Sequence, residues 1–305
     1  MSITVEISSS LRIWIIDNLE RGTSPAAMTE MLIGRKFEPS VARGLIGSFL
    51  SARAAGRALP EASVQVEMEP PRYVYEAARV GPGHLIRACG HEIRVLQRLQ
   101  KPVIVMLQGV MSAAECAQLI DMARPRLRSS TVIDSATGAN VTVDHRRSEG
   151  MFFRPSENPF IAELDNRLAA IMNSPTRNGE GLQVLRYGCG GQYPPHFDFL
   201  DPASPLGAQS IARSGQRIGT LIVYLNDVIG GGETVFPEVG LSVVPHRGNG
   251  LYFEYANSRK QVDPRSAHGG APVTLGEKWI VTKWMRSQEF VPAAYEGAEG
   301  LATRK

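Results

Sequence analysis

The chain has 305 residues, 43% of them hydrophobic, enough to bury a substantial core in what is expected to be two domains. Its 33 basic and 30 acidic residues leave a formal charge of +3, which gives no general case for nucleic acid or a membrane surface as a partner. No apolar run of about 18 residues suggests a span, the N-terminus lacks a signal peptide's basic region, and Cys89, Cys116 and Cys189 match neither a zinc spacing nor a disulfide framework, so a cytoplasmic location is expected.

Residues 9 to about 57 read as three helices. Ser9 or Ser10 can cap the run Leu11 to Leu19, which ends near Gly22. Ser24-Pro25 opens the second, through Met28, Met31 and Leu32 to Gly34; Glu38-Pro39-Ser40 opens the third, with Leu45, Ile46 and Phe49 on its apolar face. This module, 1–57, is expected to be a packing appendage, a homodimer contact or a unit that recruits a peptide or protein. Residues 58–82, with Pro60, Pro70 and Pro71, read as a linker to a catalytic region at 83–290, with 291–305 as a tail. His84 to Leu99 is ambiguous: Gly90 interrupts any helix, while Ile93 and Val95 suit a strand. His84, Cys89 and His91 follow no standard ligand spacing and read as scattered surface residues.

From Gln183 onward the pattern is β-rich. Gln183 to Tyr187 is an extended run, a glycine turn follows, and Tyr193-Pro194-Pro195-His196-Phe197-Asp198 is extended again. Thr220 to Leu225 is a continuous apolar run suited to a strand buried on both faces. Glu233 to Pro237, Leu241 to Val244, Leu251 to Tyr255 and Trp279 to Trp284 complete the series, with His268-Gly269-Gly270 in a loop before the last. Many short strands with Gly and Pro between them predict an α+β chain. Its core, about 181–290, would be a double-stranded β-helix (jelly roll) with flanking helices, behind the small three-helix N-terminal domain.

In an extended segment, residues i and i+2 point the same way, so His196 and Asp198 can reach one ion together. A third ligand, His268, comes 72 positions after His196, as strands distant in sequence would deliver it. Two histidines and a carboxylate can occupy one face of an octahedral iron(II), leaving the other face to a chelating co-substrate and O2. Lys278, at the start of the last strand, is placed to hold the outer carboxylate of a dicarboxylic 2-oxo acid.

From Arg146 to about Phe290 the chain resembles the catalytic domain of the prolyl 4-hydroxylases, in the iron(II)/2-oxoglutarate dioxygenase superfamily. The matching segments are Arg186-Tyr187, Gln192-Tyr193-x-Pro195-His196-x-Asp198, Arg217-x-x-Thr220 with Tyr224-Leu225-Asn226-Asp227, Gly231-Gly232-Glu233-Thr234-x-Phe236-Pro237, His268 to Val273, and Gly276-Glu277-Lys278-Trp279 with Lys283-Trp284. Upstream, Leu107 to Ile120 is similar to the family's lead-in to its core.

The resemblance implies that His196, Asp198 and His268 ligate iron, that Lys278 binds the 2-oxoglutarate C5 carboxylate, and that Tyr187 and Thr234 donate hydroxyl hydrogen bonds to the same molecule. It implies substrate contacts for Arg146 and Ser148 with the peptide backbone, and for Tyr193 and Trp284 as aromatic walls for a proline ring. Arg217 could instead pair with an acidic neighbour, and its role stays open. Two departures stand out. Phe152-Phe153 replaces the Trp-Phe that often follows the Arg-x-Ser element, and Gly270-Ala271 replaces an Ala-Cys pair.

The activity so implied is hydroxylation of C4 of a prolyl residue in a peptide or protein, with 2-oxoglutarate and O2 as co-substrates, succinate and CO2 as products, and ascorbate as the candidate reductant. The same chemistry on a free amino acid or small molecule, and a binding module that kept the barrel without turnover, are the alternatives.

Overall fold

The computed structural model describes residues 2–67, 72–129 and 148–293, and the backbone alone at 132–133 and 140–141. The chain divides into two compact units, Met1–Arg72 and Tyr73–Lys305.

Three helices form the first unit: Ser9–Glu20, Pro25–Gly34 and Pro39–Ala54. The first cap is Ser8, one residue before the expected pair; its backbone is extended and its side chain accepts the Leu11 N–H. Pro25 and Pro39 sit at the first helical positions, where a missing N–H costs nothing. The unit is not helical alone, and residues 63–67, within the segment expected to be linker, form a strand. Ser2–Glu6 pairs antiparallel with Ser63–Glu67, Ser2 opposite Glu67. The alternation in Ser63–Glu67 buries Val64 and Val66, which join Ile15, Leu32, Leu45 and Phe49 in one core. Val66 packs so close to Gly44 that a Cβ there would lie 2.3 Å from its Cγ1.

The second unit begins inside the expected linker. Arg79 anchors it: its N–H donates to Glu254 Oε1 at 2.6 Å and its guanidinium pairs with Glu254 Oε2 at 2.7 Å. Nine antiparallel strands form the main sheet, in the order Leu85–Ala88, His91–Gln100, Val103–Gln108, Gly250–Glu254, Arg217–Tyr224, Lys278–Arg286, Leu182–Tyr187, Glu149–Phe153 and Arg128–Ser129. The ambiguous stretch after His84 is therefore a hairpin, turned at Cys89 and Gly90, both at positive φ. A smaller sheet has the order Tyr193–His196, His268–Gly270, Thr234–Phe236 and Leu241–Val243. His268, expected in a loop, is thus a strand residue.

The Lys278–Arg286 strand shows how the layers are set. All nine residues are buried. Trp279, Val281 and Met285 point into a core shared with Cys116 and Leu119 of the Ala113–Ala123 helix and Leu164 and Leu168 of the Pro159–Ile171 helix. Lys278, Ile280, Thr282 and Trp284 point the other way and line a cavity. A second core made of Leu185, Ile222, Tyr224 and Phe253 from the large sheet and Phe236 and Val243 from the small one joins the two sheets around that cavity. Among the described residues, no helix is long and apolar enough to cross a membrane.

Candidate active site

His196 and His268 are direct partners in the small sheet's antiparallel ladder. Asp198 follows two residues after His196, in a bend outside the ladder. One potential ligand atom from each of the three lies within 4.8 Å of the others. His196 Nε2 is 3.6 Å from Asp198 Oδ1, and His268 Nε2 is 3.6 Å from Asp198 Oδ2. Each histidine faces a backbone carbonyl with its other nitrogen: His196 Nδ1 lies 3.0 Å from Pro194 O, and His268 Nδ1 lies 3.1 Å from Ser266 O. A carbonyl can only accept, so Nδ1 carries the proton in each ring and Nε2 keeps its lone pair for the cluster.

The electrostatics bear on His268 and on Asp198. Burial pushes His268 down to about 4, against the opposing pull of Asp198, so the ring is neutral near pH 7. Burial would raise the Asp198 carboxyl, but His268, His196 and Arg217 outweigh it and hold the group well below the usual carboxylate range. Two imidazoles that turn Nε2 inward and one ionised carboxylate suit a divalent transition metal with open positions.

Lys278 is 3% exposed and stands directly opposite Tyr187 in the large sheet. Its ammonium lies 5.7 Å from the Tyr187 ring centre and 5.8 Å from that of Tyr224. No carboxylate pairs with it among the described residues, and burial lowers it to about 8 in spite of Glu233. A buried cation without a counter-ion, beside a metal-type cluster, suits an anionic ligand. Thr234 lines the same cavity and accepts the Tyr224 hydroxyl at 2.8 Å.

Tyr193 and Trp284 also line this cavity, so eight of the ten candidate residues meet in one place. Tyr193 stacks on His196 with ring centres 3.8 Å apart. Ser148 is buried just before the Glu149–Phe153 strand but is not part of the cavity wall; its hydroxyl has no hydrogen-bond partner among the described residues. Arg146 lies outside the described residues. At the aromatic departure, Phe153 is core and the exposed Phe152 faces Trp284 at 6.4 Å. At the second departure, a Cβ on Gly270 would meet nothing nearer than 3.7 Å; the preceding Gly269 is the constrained residue, where a Cβ would lie 2.7 Å from Tyr193 O.

Some of the site was not assigned from sequence. Arg217, whose role stayed open, makes a two-pronged ion pair with Glu180 at 2.7 and 2.8 Å, stacks over Trp284 at 4.1 Å and reaches the Asp198 carbonyl at 3.3 Å. Thr220 donates to Asp198 Oδ2 at 2.6 Å, and Tyr255 lies 3.0 Å from the same hydroxyl. Strand periodicity held a signal for one of these: 220, 222 and 224 share a face, so a cavity-lining Ile222 brings Thr220 with it.

Residues 182–286 match the model of the 2OG-Fe(II) oxygenase superfamily. Prolyl 4-hydroxylase 1 of Arabidopsis thaliana is 40% identical over 202 residues, covering 61% of this chain and 70% of that protein. The prolyl 4-hydroxylase subunit alpha-1 of Bos taurus is 38% identical over 192 residues, which cover 62% of this chain and 36% of the subunit. The solved viral collagen prolyl hydroxylase of Paramecium Bursaria Chlorella virus-1, in its 2OG complex, is 29% identical, with a TM-score of 0.47 over 60% of this chain and 94% of that one. The chain belongs to the prolyl 4-hydroxylase family, within the 2OG-Fe(II) oxygenase superfamily.

Proposed function

We propose that this protein is an iron(II)- and 2-oxoglutarate-dependent dioxygenase that hydroxylates C4 of a prolyl residue in a peptide or protein, releasing succinate and CO2. The observation that carries the reading is the convergence of His196, Asp198 and His268 within 4.8 Å, in a cavity that also contains the ammonium of Lys278, which no carboxylate among the described residues pairs with. The family membership and the bovine and plant relatives named for prolyl 4-hydroxylation support the choice of substrate.

Each residue then has a task. His196, Asp198 and His268 hold the iron, and bound iron(II) supplies O2 activation coupled to oxidative decarboxylation of the 2-oxo acid. The Nδ1 contacts to Pro194 and Ser266 keep both rings oriented with Nε2 inward. Lys278 takes the outer carboxylate of 2-oxoglutarate, and the Tyr187 hydroxyl joins it. Because Thr234 Oγ1 already accepts from Tyr224, its own proton is free to donate to the same ligand. Leu185, Ile222 and Ile280 form the apolar wall that keeps water from the reacting centre. Tyr193 and Trp284 hold the proline ring, while Arg146 and Ser148 take the peptide backbone. The frame is a double-stranded β-helix, supported by two antiparallel sheets sharing one core around the site.

Purified protein with iron(II), 2-oxoglutarate, O2 and a panel of proline-rich peptides tests this reading. Succinate is expected to rise with a peptide present, to need iron, and to vanish in Asp198→Ala. Iron-independent succinate, or none with any peptide from an iron-loaded protein, would contradict it.

A further inference from the structure

The three clustered side chains are not held equally. His196 and His268 are fixed by the ladder in which they oppose each other. Asp198 lies beyond the strand, in a bend with no ladder bonds of its own. Its carboxylate must therefore be fixed by side chains.

Thr220 does this from the middle of the large sheet, where it pairs on one side with Phe253 and on the other with Trp284. Its position is thus set by two ladders, and its side chain is completely buried. Its hydroxyl lies 2.6 Å from Asp198 Oδ2. An ionised carboxylate only accepts, so the Thr220 proton is committed to Oδ2. Tyr255 OH, 3.0 Å from Thr220 Oγ1 and equally buried, must then be the donor in its contact. The hydrogen bonds run one way: Tyr255 to Thr220 to Asp198. Each donation strengthens the next in a dry environment. Arg217 holds the Asp198 backbone through its carbonyl, so main chain and side chain are both anchored.

We propose that Thr220, supported by Tyr255, is a positioning residue for the metal site: it fixes the Asp198 carboxylate through Oδ2 and leaves Oδ1 as the oxygen presented to the cation. The inference rests on the metal assignment proposed above. Neither hydroxyl touches substrate or metal in this role. Their contribution is to hold ready a carboxylate that the backbone leaves loose.

The test is anaerobic calorimetric titration of iron(II) into the full chain, with melting of the metal-free protein measured in parallel. Thr220→Val keeps the shape and removes the hydroxyl; Thr220→Ser keeps the hydroxyl; Tyr255→Phe removes only the supporting donor. Affinity is expected to fall by about 10- to 100-fold in Thr220→Val, to fall less in Tyr255→Phe, and to be kept in Thr220→Ser. Wild-type affinity in folded Thr220→Val overturns the proposal. If that variant does not fold, Tyr255→Phe decides it, and unchanged affinity there overturns it equally. No iron binding by the wild-type chain would instead overturn the metal assignment on which the proposal stands.

Discussion

His196 and His268, 72 positions apart in the chain, face each other across one antiparallel ladder with ring centres 4.5 Å apart. Directly opposed residues have Cβ atoms about 4.5–5.5 Å apart, so backbone register sets the spacing of the two imidazoles. A one-residue slip would turn one ring to the other face of the sheet.

Gly269 guards that register. A Cβ there would meet Tyr193 O at 2.7 Å and Pro195 N at 3.0 Å, both backbone atoms of the strand that carries His196. Gly269→Ala is expected to destabilise the protein by about 1–3 kcal/mol and to weaken metal binding beyond that loss. Gly270→Ala, with its nearest contact at 3.7 Å, is the control and is expected to be mild in both assays. Denaturant unfolding and metal titration of the pair would check this.

Lys278 links cofactor binding to pH. Burial lowers it from 10.5 to about 8, so in the folded state without ligand it loses its proton at lower pH than a free lysine. Below pH 8 the group is charged in both states and the burial penalty is fully present. Between about 8 and 10.5 the unfolded chain binds the additional proton, so ligand-free stability contributed by this group rises with pH. In the proposed role, where the 2-oxoglutarate carboxylate pairs with the ammonium, ligand affinity moves the opposite way, falling up to about tenfold per pH unit above 8. Lys278→Arg, which stays charged, should lose this slope, and Lys278→Ala should weaken binding by about 2–5 kcal/mol. Calorimetric titration of 2-oxoglutarate into metal-loaded protein across this range measures both. A flat wild-type profile would remove Lys278 from the carboxylate site.

Ser148 separates substrate binding from stability. Its buried hydroxyl has no hydrogen-bond partner among the described residues, so Ser148→Ala should be neutral or slightly stabilising to the fold, within about 1 kcal/mol. If it contacts the peptide, the same change raises KM for peptide and leaves 2-oxoglutarate binding untouched. Trp284→Ala should raise the peptide KM further, because it removes an aromatic wall and uncovers the Arg217 guanidinium stacked 4.1 Å above it. Steady-state kinetics with the substrate identified by peptide screening distinguishes the two contributions.

Lys283 and Asp165 form a buried ion pair at 2.6 Å on the helix side of the strand that carries Lys278. Breaking it at one end strands a charge in a dry core, so Lys283→Met should cost about 3–5 kcal/mol. Adding Asp165→Leu should recover much of that loss, as seen by urea unfolding of the single and double variants.

The cluster of His196, Asp198 and His268 was readable because a His-x-Asp pair, weak by itself, stands in a frame of matching motifs with Lys278 heading the last strand, and the family resemblance added Tyr187 and Thr234. The extended runs at Gln183–Tyr187 and Thr220–Leu225 were equally plain, since Val, Ile and Leu between glycines leave little else. Thr220 and Tyr255 were not readable as a pair. Their contact depends on how Gly250–Glu254 pairs with Arg217–Tyr224, and long-range register leaves no local mark. Ser63–Glu67 was missed because a five-residue alternation after Pro60 resembles a linker until Ser2–Glu6 supplies its partner. The anchor of residue 79 onto Glu254 was hidden for the same reason: an isolated arginine does not announce a carboxylate 175 residues away.

The most direct test of the central claim is mass spectrometry of a proline-rich peptide library after incubation with the protein, iron(II), 2-oxoglutarate and O2, beside Asp198→Ala. The account predicts addition of one oxygen atom to prolyl residues, placed at C4 by comparison with 4-hydroxyproline standards, and no addition in the variant. Oxygen added only to other side chains, or prolyl hydroxylation that persists in Asp198→Ala, would contradict it.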